Sequence, residues 1–220
     1  VPSIIKLDST KTHTSFLWKY EQKWIAWVVP KVPLFLNGQN LSWATALWAL
    51  LILICGYLTK YNIHWIWGVS ASIVGQYITD SLDGAVGRYR GSGLINWGYY
   101  VDHLLDFIFL CSVIIAYALI FPGQILLFLI LLAIFGTHYA SSFLLFGLSK
   151  KFWMSASGVS MNELKIGLLL LNLVIIILGA SFMKYLLMIL AIAASIALII
   201  VIYKSQKEAR LLDMSLNNNL

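Results

Sequence analysis

Residues 80–106 read DSLDGAVGRYRGSGLINWGYYVDHLLD, a short polar bend between two apolar segments. Asp80 and Asp83 close the first segment, and Asp102 and Asp106 open the second; together they are four of the chain's nine acidic side chains. Ionisable groups at membrane depth are costly enough that their placement marks function. On a helix advancing about 100° per residue, Asp80, Asp83, Gly84 and Gly87 fall within about 100° of one another. Asp102 and Asp106, four residues apart, share a stripe on the following helix. Two neighbouring antiparallel helices joined by a short connection therefore bring all four carboxylates to one depth.

The surrounding chain fixes the solvent. Of 220 residues, 60% are hydrophobic and only 11% charged, and the mean hydropathy is +0.85. This composition lies outside the range of soluble domains and implies a polytopic membrane protein. Apolar stretches of spanning length run at about 41–59, 65–86, 98–120, 124–147, 164–181 and 184–203. The expected fold is all-α, with six transmembrane helices preceded by an amphipathic interfacial N-terminal helix. Three parts follow: an interfacial segment at 1–40, a six-helix transmembrane domain at 41–205 and a tail at 206–220.

Charge sets the expected orientation. Thirteen of the fifteen Lys and Arg residues fall on the side of the termini and the aspartates, against only Lys60 and Lys184 opposite. The positive-inside rule then places both termini and the active site in the cytoplasm of an integral plasma (cytoplasmic) membrane protein. The basic residues form no dense patch, so no nucleic-acid partner is expected. Cys55 and Cys111 lie inside apolar runs, where a thiol acts as a small hydrophobe. The first fifteen residues are polar and mixed in charge, so the first apolar span is expected to act as its own insertion signal. In SFLWKYEQKWIAWVVPK at 15–31, Leu17, Tyr20, Trp24, Trp27 and Val28 recur at helical spacing opposite Lys19, Gln22 and Lys23. That pattern reads as a helix lying in the headgroup layer, ended by Pro30 and Pro33.

Four carboxylates in one poorly hydrated place cannot all stay ionised without a counter-charge. Oxygen-only ligands favour Mg²⁺, Mn²⁺ or Ca²⁺ over zinc, and no Cys or His cluster competes. Gly84 and Gly87 admit close approach to the helix backbone, and Arg88 offers a forked donor suited to phosphate. Divalent metal, glycines and arginine together point to a diphosphate substrate. Helix capping is a weak alternative for Asp80 and Asp83, because the dipole disfavours acids at a helix C-terminus. A divalent-cation transporter is the rival from another class. It predicts acids distributed through the bundle, whereas spans five and six hold none beyond Glu163 at the boundary.

These residues resemble the signature of the CDP-alcohol phosphotransferases: Asp, two residues, Asp-Gly, two residues, Ala-Arg, eight or nine residues, Gly, three residues, Asp, three residues, Asp. Here the positions are Asp80, Asp83, Gly84, Arg88, Gly98, Asp102 and Asp106, with Gly87 in place of the usual Ala. The amphipathic helix and six-span core extend the likeness over about residues 15–205. At the start of the first span the chain reads GQNLS (Gly38–Ser42) where many members have Pro-Asn and a nearby Thr.

The resemblance implies that Asp80, Asp83 and Asp102, with Asp106 sharing, bind one or two Mg²⁺ or Mn²⁺ ions that bridge the diphosphate of a CDP-linked donor. Asp106 is implied as the general base, Gly84 and Gly87 as cytidine contacts and Arg88 as a phosphate ligand, with Gly98 completing the nucleotide site. CDP-diacylglycerol is the expected donor to a small polar alcohol, with release of CMP in phospholipid synthesis and a homodimer in the membrane lipid. The alternative is CDP-choline or CDP-ethanolamine transfer to diacylglycerol, which His103 favours because the choline and ethanolamine enzymes carry a histidine there. Tyr99, standing where those enzymes carry Glu, argues the other way. Candidate acceptor-pocket residues are Arg90, His103, His138, Lys150, Lys151, Glu163 and Lys165. For the basic ones, satisfying the positive-inside rule is the competing reading, and for His138 it is packing.

Overall fold

The computed structural model describes residues 18–92, 94–149, 161–179 and 181–217, and among these every regular element is helical. A short α1 (Trp18–Val28) precedes α2 (Gly38–Leu58), α3 (Ile66–Tyr89), α4 (Ile95–Ile120), α5 (Ile125–Ser149), α6 (Met161–Leu178) and α7 (Met183–Asn217). The six long helices follow the expected apolar stretches. Four of them, α2, α4, α5 and α7, are long and apolar enough to cross a bilayer by length and composition. In α3 the polar stripe from Gln76 to Arg88 lowers the apolar content, and the 18 residues of α6 reach only about 27 Å. The all-α membrane fold stands, while length and composition alone do not establish six crossings.

Local chemistry explains where the helices begin and end. The Asn37 side chain caps α2 by accepting from the Asn40 backbone N–H at 2.8 Å. Asn62 does the same for the turn before α3, accepting from His64 N–H at 2.9 Å. Gly91, at φ +62, supplies the left-handed residue that ends α3 and lets the chain reverse into α4. At the other end, α7 continues past the expected limit at 203 through Asn217, so most of the anticipated tail is helical.

The tightest packing sets α2 against α3 and against α4, while α6 lies on α3, and α5 lies on α4 and α7. A methyl placed on Gly56 of α2 would come within 2.7 Å of Ala116 Cβ on α4, so the missing side chain is what lets these helices meet. Ile52, Ile66, Val69, Ile73 and Ala116 are wholly buried at this junction. Asn172 of α6 adds polar stitching: it accepts from the Tyr117 hydroxyl at 2.6 Å and donates to Ser70 Oγ at 2.8 Å. The outward positions stay apolar, including Leu50, Ile115, Leu126, Ile189 and Ile199, as a lipid solvent requires.

The amphipathic helix divides its apolar residues between two directions. Trp24, Ile25 and Val28 pack with Val29, Leu82 and Val86 over the end of α3, whereas Tyr20 and Trp27 face outward. Leu17 lies outside the described residues. Arg90 locks the connection to α2, its guanidinium donating to the carbonyls of Val32 at 2.6 Å, Leu36 at 2.8 Å and Pro33 at 3.1 Å.

Candidate active site

The bend between α3 and α4 folds Asp80 back onto Asp102 and Asp106. One carboxylate oxygen from each lies within 4.8 Å of the others, and all three side chains are partly buried. Asp80 comes from the last turns of α3, and the other two from consecutive turns of one face of α4. The juxtaposition follows from the four-residue spacing and the antiparallel reversal at Gly91.

Asp83 turns aside from this triad. Its carboxylate accepts from Ser42 Oγ of α2 at 2.8 Å and from the Gly84 backbone N–H. Ser42 can reach it because Gly38 presses on α3: a Cβ there would lie 2.8 Å from Asp83 O and 3.4 Å from Gly87 Cα. Gly87 is buried in this crossing. Gly84 is exposed, and a Cβ on it would meet only the Arg88 guanidinium, at 3.2 Å. Arg88 thus folds over the bare backbone at Gly84 and lines a cavity of about 310 Å³ between α1 and α3. Around Gly98 there is open space.

One cation reaches the triad from a distant part of the chain. Lys165 of α6 is buried, and its Nζ lies 2.8 Å from Asp80 Oδ2 and 5.9 Å from the Tyr77 ring centroid. A buried ammonium needs such a partner. Three carboxylates gathered this closely, with the Lys165 ammonium on Asp80, form an oxygen-rich setting that suits divalent cations. The donor set fits them. Asp80, Asp102 and Asp106, each offering one oxygen within 4.8 Å of the others, would hold such an ion.

The other anticipated residues scatter. His103 is half-buried, with Nδ1 2.8 Å from Tyr99 O, its ring centroid 4.4 Å from that of Tyr99, and Asp102 Oδ2 3.8 Å away. His138 is half-buried on α5. Arg90 faces the 32–36 connection and not the triad. Lys150 and Lys151 lie outside the described residues, as does the side chain of Glu163.

Three residues enter the site that pattern reasoning passed over. Ser42 holds Asp83. Gln76, fully buried, places Nε2 3.5 Å from Asp106 Oδ1 and leaves Oε1 without a hydrogen-bond partner. Tyr139 of α5, also buried and with an unpartnered hydroxyl, stacks against Phe107 at 4.9 Å and lies within electrostatic reach of Asp106, Asp102 and Asp80. The one available signal was Gln76 standing four residues before Asp80, on the same stripe.

A family model for CDP-alcohol phosphatidyltransferase matches residues 39–200, which take in α3, α4 and every carboxylate of the cluster. No curated protein and no solved structure matches the chain.

Proposed function

Because the chain belongs to the CDP-alcohol phosphatidyltransferase family, membrane transferases of substituted phosphate groups in phospholipid synthesis, we propose that it carries a phosphatidyl group from CDP-diacylglycerol to a small polar alcohol and releases CMP. The observation that carries this reading is the convergence of Asp80, Asp102 and Asp106 within 4.8 Å. Family membership makes the enzyme reading the stronger one over cation transport. The packing of His103 against Tyr99, with Nδ1 at the Tyr99 carbonyl, gives that histidine a structural role and weakens its case for an amino-alcohol reaction.

Asp80, Asp102 and Asp106, with Asp83 one turn away, would hold one or two divalent ions, Mg²⁺ or Mn²⁺. When bound, such ions supply Lewis-acid charge that offsets the negative charge gathering on the leaving nucleotide. The chain's own groups do the rest. Gly84 leaves the face of α3 open to the nucleotide, Arg88 lies beside it to bind phosphate, and Gly87 lets α2 and α3 close so that Ser42 holds Asp83. Lys165 keeps Asp80 oriented and adds positive charge where phosphate oxygens must approach.

Asp106 acts as the general base. It takes the proton of the attacking hydroxyl as the alcohol oxygen bonds to the β-phosphorus and the bond from that phosphorus to the bridging oxygen breaks, releasing CMP. Arg90, held by backbone carbonyls, supports the scaffold. The reading further has six crossings, the three-part division at 1–40, 41–205 and 206–220, a cytoplasmic site and termini, and a homodimer.

The test is CMP release by the purified chain with CDP-diacylglycerol, Mg²⁺ or Mn²⁺ and a panel of alcohols. Metal-dependent release with a small polar acceptor, lowered at least a hundredfold by Asp106→Asn, is expected. Turnover only with CDP-amino alcohols and diacylglycerol overturns the donor assignment.

A further inference from the structure

Two buried polar atoms have no hydrogen-bond partner, one on the glutamine that faces Asp106 and one on the α5 tyrosine packed against the neighbouring Phe107. Gln76 is wholly buried on α3, its Nε2 facing Asp106 Oδ1 at 3.5 Å and its Oε1 unbonded. The opposite amide orientation would set a carbonyl oxygen against a carboxylate, so the observed one is electrostatically preferred. Tyr139 is buried to more than nine-tenths on α5, and its hydroxyl is likewise unbonded. Orphaned polar groups in an apolar interior are costly, and a ligand that completes both would account for them.

Their depth relates them to the reacting centre. Tyr139 lies ten residues from the end of α5, and Asp106 eleven from the start of α4. At 1.5 Å per residue, both stand about 15–17 Å inside the bundle. Gln76 lies one helical turn below Asp80 on the same stripe. The stacking of Tyr139 on Phe107, the residue after Asp106, brings α5 against this part of α4.

We infer that Gln76 and Tyr139 form a subsite beside Asp106 that reads a second hydroxyl on the acceptor, the Gln76 Oε1 accepting from it and the Tyr139 hydroxyl donating to it. This rests on the transferase reading above and narrows the acceptor to a polyhydric alcohol, in which a neighbouring hydroxyl accompanies the one that attacks. A monohydric acceptor leaves both protein atoms unpaired, and sites built to bond a hydroxyl discriminate strongly against analogues lacking it.

The test uses matched acceptors. The full chain in detergent with CDP-diacylglycerol and Mg²⁺ is given glycerol 3-phosphate or 3-hydroxypropyl phosphate, which lacks only the neighbouring hydroxyl. Inositol 1-phosphate and its adjacent deoxy analogue form a second pair, and serine and choline supply the monohydric arm. The native chain is expected to prefer the polyhydric member by roughly tenfold or more in kcat/KM. Gln76→Met, close to isosteric, slows both members through loss of the Asp106 contact, yet collapses the preference towards unity. Tyr139→Phe, which removes one oxygen from a different helix, reduces the preference in the same way. Equilibrium binding of the labelled polyhydric acceptor with CMP present weakens in step. Equal losses for both members with the preference intact, or turnover confined to monohydric acceptors, overturns this inference alone. No CMP release from the native chain with any acceptor overturns the CDP-diacylglycerol donor assignment and this inference with it.

Discussion

Lys165→Met removes a buried cation that contacts Asp80 of the carboxylate cluster while keeping most of the side-chain volume. The Nζ–Oδ2 distance to Asp80 is 2.8 Å, with the lysine side chain 8% exposed and the aspartate 20%. Breaking a buried pair from one side costs about 3–5 kcal/mol. The residual exposure of Asp80 favours the lower end, about 3 kcal/mol. For a chain of 220 residues, where 1 kcal/mol moves Tm by about 2–4 °C, that is a loss of about 6–12 °C without divalent cations. Saturating Mg²⁺ should shrink the deficit to under about 3 °C, because the metal restores positive charge to the same oxygens. Adding Asp80→Asn should also recover most of the loss, since removing both partners leaves no unpaired charge. Thermal unfolding of the detergent-purified variants, with and without Mg²⁺, measures all of this. A loss unchanged by Mg²⁺ and by the second substitution refutes the counter-charge role and leaves Lys165 as a packing residue over Tyr77.

Two further outcomes test the framework that holds the carboxylates. Gly38→Ala places a methyl 2.8 Å from Asp83 O, a backbone atom that must shift, so it should cost about 1–3 kcal/mol and lower CMP release by displacing Asp83 from Ser42; an unchanged Tm and rate would contradict the close crossing. Arg90→Ala removes the donor to the Val32, Pro33 and Leu36 carbonyls and should lower Tm by several degrees while leaving the KM of the acceptor within about twofold, whereas a large rise in that KM with an unchanged Tm would return Arg90 to the acceptor pocket.

The aspartates were legible in the sequence because helix periodicity and an antiparallel reversal put Asp80, Asp102 and Asp106 at one depth, while α2, on which both α3 and α4 pack, completes their convergence. What the pattern could not supply was contact between distant segments. Lys165 lies 85 residues from Asp80, and from sequence it is one more boundary cation. Asp83 shares a stripe with Asp80, yet its side chain belongs to the α2 crossing, which depends on a glycine pair at Gly38 and Gly87 that periodicity does not reveal. Gln76 is neutral and sits in an apolar run, so neither charge nor hydropathy marks it. Arg90 looks like Arg88 in the sequence; only the path of the 32–36 connection separates a clamp from a phosphate ligand. The amphipathic helix was visible as such, but the division of its aromatic residues between α3 and the outside required the packed structure.

The account depends most on carboxylates from α3 and α4 gripping divalent cations together, and Mn²⁺ binding followed by electron paramagnetic resonance tests this directly. The native chain should bind Mn²⁺ more tightly when a CDP-linked donor is present, and Asp80→Asn and Asp102→Asn, on different helices, should each weaken binding by tenfold or more. Native-like Mn²⁺ affinity in both variants, or affinity indifferent to the donor, would contradict it.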